Sequence, residues 1–182
     1  MAGMGFGRRL WLTRFSRPAT DRPLYRHLLE RKPARILQLG IGSLDRTERL
    51  LSVAAAVTGC PTHFVGLDRF EGRLPSEPAG PTLKQAHQRL HGVARTQLVP
   101  GNADTSLARL CNHLGIFDLV VIDAVTDERH RERCWFFLQR LTNPASLVLA
   151  EASTSTGGAG WQVVTKATID DLASRTVLRR AG

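Results

Sequence analysis

Two rhythms of apolar positions run along this chain. Short continuous apolar runs at 35–39, 63–67, 96–99, 117–122 and 146–150 predict β-strands, and apolar residues spaced three and four apart at about 45–58, 82–93, 104–114 and 127–141 predict helices. Strands that are apolar throughout, and separated by helices, are the pattern of a parallel sheet covered on both faces, so the expected class is an α/β three-layer sandwich. A further helix is expected from Arg22 to Lys32, with Pro23 near its first turn, Leu24, His27 and Leu28 at helical spacing, and Pro33 ending it. After the fifth strand, TrpGlnValValThrLys at 161–166 predicts one edge strand, and Thr168 with Asp171 reads as a helix start. The expected sheet therefore has five to six strands, mostly parallel, with its C-terminal part shortened. The longest expected loop is 70–81, directly after Asp68.

Composition narrows the class. With 182 residues, 42% hydrophobic and 23% charged, the chain is expected to form one globular domain that buries roughly 70% of its unfolded surface. No apolar run approaches the roughly 20 residues of a membrane span, and the three cysteines, Cys60, Cys111 and Cys134, form no CysXXCys pair, so a reducing cytoplasm is the expected setting. The net charge of +9 is unevenly placed: residues 1–35 carry +7, residues 166–182 carry +2, and the segment between them balances to zero. Basicity belongs to the ends of the chain. Residues 1–22, in which Phe6, Leu10, Trp11, Leu12 and Phe15 alternate with arginines, read as a basic flexible arm able to meet a polyanion or acidic partner, and 23–182 as the domain proper.

The candidate chemistry lies at the strand ends. The run ArgIleLeuGlnLeu stops at Gly40-Ile41-Gly42 and opens into the helix at 45–58, a strand, glycine turn and helix arrangement in which positive φ and close backbone approach call for glycine. Asp68 ends the next strand, where a carboxylate can accept both hydroxyl hydrogen bonds of a ribose; alternatively it caps the following turn or pairs with Arg69 or Arg73. In this order the features read as a nucleotide-cofactor site.

The stretch from about 24 to 151 resembles the class I S-adenosylmethionine-dependent methyltransferase core, a Rossmann-like fold. The resemblance implies that Gly40 and Gly42 wrap the methionine and ribose portion of the cofactor, that Asp68 binds the ribose hydroxyls, and that Asn102 or Asp104 in ValProGlyAsnAlaAsp contacts the adenine amino group. It also puts PheAspLeuValValIleAspAla at 117–124 in the fourth strand, facing the methyl-transfer position, with Asp123 as the candidate catalytic base. Two positions depart from the family. Gln38 stands where an acidic residue usually helps hold the cationic cofactor, and Leu44 replaces the third glycine. Compared with metal-dependent O-methyltransferases, the chain keeps Asp123 but has Val125 at the second carboxylate and Glu151-Ala152 in place of AspAsn, too few oxygen ligands for a hard divalent ion. No metal is expected.

Other readings stay open beside this one. Asp123 equally suits capping of the helix that begins near Asp127. His87 and His91 lie four apart on a helix with no third ligand in register, His130 sits in a run of charged residues without a signature, and Trp135 to Phe137 are expected to pack a helix onto the sheet. A catalytically inactive module of the same fold, working through its basic arm, is the second functional reading. A nicotinamide dinucleotide enzyme is the third and fits worst, because Asp45 occupies the last glycine position of that fingerprint.

Overall fold

The computed structural model describes residues 5–42, 44–75, 77, 79–153 and 159–181. Helices α1 (Phe6–Arg14) and α2 (Arg22–Arg31) precede strand β1 (Arg35–Leu39); α3 (Asp45–Thr58), β2 (His63–Asp68), α4 (Leu83–Leu90), β3 (Arg95–Pro100), α5 (Ala103–Leu114), β4 (Leu119–Ile122), α6 (Glu128–Leu141), β5 (Leu147–Ser153), β6 (Ala159–Val164) and α7 (Lys166–Ala181) follow. The six strands lie in the order β3-β2-β1-β4-β5-β6, all parallel except β6, which runs antiparallel to β5. This is the expected α/β sandwich with six strands.

Local chemistry sets the boundaries. Helix α2 closes at Lys32, which takes the left-handed conformation with φ +49 before Pro33 prevents continuation. Helix α3 ends on Gly59 at φ +75, whose N–H caps Ala55. Thr82 and Gln85 form a reciprocal capping box at the start of α4. Alternate residues of the strands feed two cores. Ile36, Phe64, Leu98, Leu119 and Leu147 pack under α2, α3 and α4, while Leu37, Val65, Val120, Ile122 and Val148 pack under α5, α6 and α7. Trp135 and Phe137 are buried in the second core, as a packing helix requires.

Residues 5–22, read from the sequence as part of a flexible arm, hold α1 and a short turn, Ala19–Asp21; residues 1–4 lie outside the described part. Leu12, Ser16 and Asp21 are buried there, and Leu10, Trp11 and Phe15 are exposed. Asp21 is fixed by Arg46 and Arg49 of α3, which ties this segment to the domain. Among the described residues no helix is long and apolar enough to cross a membrane. Residues 154–158 of the loop expected at 153–160, and Ser76 and Pro78 of the loop expected at 70–81, lie outside the described part.

The chain builds β1 to β3 outward on one side and returns to place β4 against the other side of β1. The gap between the β1 and β4 carboxyl ends is the switch point at which open α/β sheets take ligands. Gly40 and Asp123 are the residues that follow those two ends.

Candidate functional site

Asp68 organises the site. Its Oδ2 accepts from the Ile41 N–H at 2.7 Å and the Gly42 N–H at 3.4 Å, and its Oδ1 accepts from the Phe70 N–H at 2.7 Å. One carboxylate thereby fixes the turn after β1 and the turn after β2. Arg73 then lays its guanidinium along both oxygens, Nη2 standing 2.9 Å from Oδ1 and 2.7 Å from Oδ2. Both partners are nearly enclosed, with side-chain exposures of 10% for Arg73 and 3% for Asp68. The turn-capping and Arg73-pairing alternatives read from the sequence are thus both present.

Beside this pair opens a cavity of about 370 Å³ whose walls include Gly40, Asp68, Arg73, Asn102, Thr126 and His130. Its size falls within the ordinary range for small-molecule sites. Three of the positions assigned to a cofactor, Gly40, Asp68 and Asn102, come to it from the ends of three different strands. The glycine turn itself is tight. Gly40 has φ +79, and a Cβ there would stand 2.7 Å from Thr126 Oγ1 and from Val125 Cγ2. Glycine is therefore demanded at position 40 by the protein's own loop after β4. Thr126 Oγ1 in turn donates to the Leu39 carbonyl at 2.9 Å, pinning that loop over β1.

The remaining sequence-predicted residues are arranged differently. Gln38 is buried and committed within the protein: its Nε2 donates to the Gly40 carbonyl at 2.9 Å, and its Oε1 accepts from Thr47 at 3.0 Å. A carboxamide can donate to that carbonyl and a carboxylate cannot, which accounts for Gln rather than Glu at position 38. Gly42 lies under the Asp123 and Val125 side chains, whose atoms would be 3.8 Å from a Cβ. Asn102 accepts from Arg69, which also pairs with Glu77 at 2.5 Å. Asp104, in the first turn of α5, faces α6, where it meets His130 Nδ1 at 2.8 Å and Arg133 at 3.5 Å. Neither Gln38 nor Asp104 is on the cavity wall.

Asp123 belongs to a second, ionic centre that the sequence reading missed. Arg46, in the first turn of α3, donates from Nη1 to Asp123 Oδ2 and Glu151 Oε2, both at 2.7 Å, from Nη2 to Glu151 Oε1 at 2.8 Å, and from Nε to Asp21 Oδ1 at 3.0 Å. Its guanidinium carbon lies 5.2 Å from the centroid of the Trp161 ring. The backbone N–H groups of Ala124 and Val125 add bonds of 3.2 Å to Glu151 Oε2 and Asp123 Oδ1. The helix cap suggested for Asp123 is made by Asp127, which accepts from the Arg129 N–H at 2.8 Å. Among the described residues no group of three histidine, cysteine or acidic side chains is arranged to hold a metal ion.

Burial opposes the charge on Arg46, but its hydrogen bond to Glu151 and the fields of Asp123, Glu151 and Asp21 keep it more firmly protonated than an ordinary arginine. Burial pushes the Asp123 carboxyl above the usual carboxylate range, with Arg46 working against that rise. A carboxyl raised in the folded state contributes stability that is fully present below its unfolded pKa, near 3.8, and is lost as pH rises through the folded value. Asp123→Asn, which keeps an acceptor for Arg46, should remove this component. As pH rises above about 3.8, its unfolding free energy should therefore fall less, or rise more, than that of the wild type. Denaturant unfolding over a pH series checks this, and parallel curves would show that Asp123 carries no such shift.

No protein-family model matches the chain, and no curated protein sequence does. Solved structures do resemble it. The O-methyltransferase TomG from Streptomyces achromogenes, involved in tomaymycin synthesis and solved with S-adenosylmethionine, is 17% identical, with a TM-score of 0.58 over 83% of this chain and 66% of that one. An O-methyltransferase from Bacillus cereus, solved with S-adenosylhomocysteine, is 16% identical, with a TM-score of 0.55 over 92% of this chain and 71% of that one. The chain thus spans about two thirds of the first structure's length. At such identities the likeness speaks to architecture alone, the mostly parallel six-stranded sheet with helices on both faces. The chain has the Rossmann-like fold of the class I S-adenosylmethionine-dependent methyltransferases.

Proposed function

We propose that this chain binds S-adenosylmethionine in the cavity beside Asp68 and acts as a methyltransferase. The observation that carries the reading is the convergence of Gly40, Asp68 and Asn102 on one cavity wall at the switch point. Asp68 would take the ribose hydroxyls once Arg73 withdraws, Asn102 would face the adenine, and the Gly40 turn would border the methionine portion. When bound, the cofactor supplies an electrophilic methyl group. The protein's contribution is then proximity and alignment of an acceptor. Asp123 enters as a positioning residue, since its oxygens are engaged by Arg46 and the Val125 N–H. A calorimetric titration of the full chain with S-adenosylmethionine, S-adenosylhomocysteine and NAD tests this. One-to-one binding of the first two and none of the third is expected; no heat with any of them would defeat the proposal.

A second reading, a non-catalytic module of this fold, is favoured by a specific arrangement. Arg73 covers the carboxylate of Asp68, and Thr126 and Val125 crowd Gly40, so the protein's own groups meet two of the positions a cofactor would use. Helix α1 would then be the working surface, with Trp11 and Phe15 exposed by 55% and 62% in a strongly basic segment suited to a polyanion. Under this reading the titration is silent, and heparin retention falls when Arg14 and Arg17 are replaced by Gln, which leaves Asp21 and its pairs with α3 in place.

A further inference from the structure

Asp123, just after β4, and Glu151, inside β5, are two buried carboxylates, and the turn before α2 brings a third, Asp21. Three buried negative charges cannot share one place without compensation. Here the centre of the carboxylates is taken by a guanidinium. We infer that Arg46 is a resident cation that fills this carboxylate site and excludes a divalent metal from it.

Geometry supports the assignment. Asp123 Oδ2 and Glu151 Oε2 share a single nitrogen, Arg46 Nη1, at 2.7 Å each, so the oxygens most able to ligate an ion already converge on a positive charge. Glu151 Oε1 is held by Nη2 and Asp21 Oδ1 by Nε, so four N–H···O bonds leave one planar group, the fork that arginine presents to carboxylates. Arg49 shares Asp21 through its other oxygen at 3.2 Å. Three carboxylates thus face two guanidiniums, and the Trp161 ring lies against Arg46. An entering divalent ion would have to displace the fork and then stand beside it, turning the net charge of three carboxylates and two guanidiniums from −1 to +1. The position of Arg46 serves the same end. It is the second residue of α3, in the turn that follows the glycine turn, so the segment that shapes the cavity also delivers the cation.

The test is Mn²⁺ binding to the full chain, followed by calorimetry and by the electron paramagnetic resonance signal of free Mn²⁺, with thermal unfolding in EDTA and in excess Mg²⁺. Wild-type protein is expected to leave the Mn²⁺ signal unchanged and to unfold at the same temperature in both solutions. Arg46→Met removes the cation and should lower Tm by roughly 6 °C or more while gaining one Mn²⁺ site that partly restores it. Arg46→Gln retains two N–H donors and is the milder variant should the first not fold; it is expected to bind Mn²⁺ at least about tenfold more tightly than wild type. Adding Glu151→Gln to either variant should abolish the gain. Stoichiometric Mn²⁺ binding by the wild type that is lost in Glu151→Gln would overturn the inference. So would equal Mn²⁺ affinity in the wild type and the folded Arg46 variants.

Discussion

Asp68→Ala is expected to destabilise the domain by about 3–5 kcal/mol and to lower its Tm by roughly 6–20 °C before any ligand is added. The carboxylate accepts from the N–H groups of Ile41 and Phe70 at 2.7 Å, and its removal leaves those donors buried without their acceptor. It also removes the carboxylate that faces Arg73, a guanidinium only 10% exposed, and losing one member of a buried ion pair costs more than the pair itself contributes. A nucleotide-site role alone would predict a stable protein with weakened binding. Asp68→Asn, which retains one acceptor oxygen, should lose less. Chemical denaturation of both variants separates the roles. A loss below about 1 kcal/mol for Asp68→Ala would mean that the bonds to the two turns contribute little.

Arg73→Ala is expected to act in the opposite sense on binding, tightening S-adenosylhomocysteine and adenosine by at least about tenfold, or 1.4 kcal/mol. On the proposed reading a ribose reaches the Asp68 oxygens only after Arg73 leaves them, so the apparent affinity would be the intrinsic affinity multiplied by the fraction of time the pair is open. Asp68 keeps its backbone donors in the variant, so stability should fall less than in Asp68→Ala. Parallel calorimetric titrations measure the ratio. An affinity that drops in Arg73→Ala would make Arg73 part of the binding surface.

Much of this arrangement was legible in the residues. Strand β1 and helix α3 have the expected bounds, because Pro33, the Gly40 turn, Asp45 and Gly59 mark their ends chemically. Strand β5 runs to Ser153, three residues past its apolar run, because β6 pairs with it there, and pairing with a distant segment leaves no mark on local hydrophobicity. Gly40, Asp68 and Asn102 were identifiable by position, since each follows or ends a strand at the carboxyl edge. Gln38 and Asp104 share that edge in sequence, yet Gln38 turns to Gly40 and Thr47, and Asp104 turns to His130 and Arg133. The direction of a side chain around a strand end depends on the neighbouring helices.

Arg46 was the larger omission. In sequence it is one more arginine in the first turn of an amphipathic helix, and its partners lie 25, 77 and 105 residues away. The available signal was indirect. Asp123 and Glu151 each directly follow an apolar run, so each, once buried, required a cation from another element. His130 carried no local signature either, because its partner Asp104 stands 26 residues earlier on another helix.

The central claim is that a nucleoside occupies the cavity between the ends of β1, β2, β3 and β4. Titration of uniformly ¹⁵N-labelled protein with S-adenosylhomocysteine, followed amide by amide, tests it most directly. The account predicts saturable shifts concentrated at Gly40, Ile41, Phe70, Gly101, Asn102 and Thr126, larger in Arg73→Ala at equal ligand. Spectra unchanged at millimolar ligand in both proteins, or shifts confined to α1 and the surface around Trp11, would contradict it.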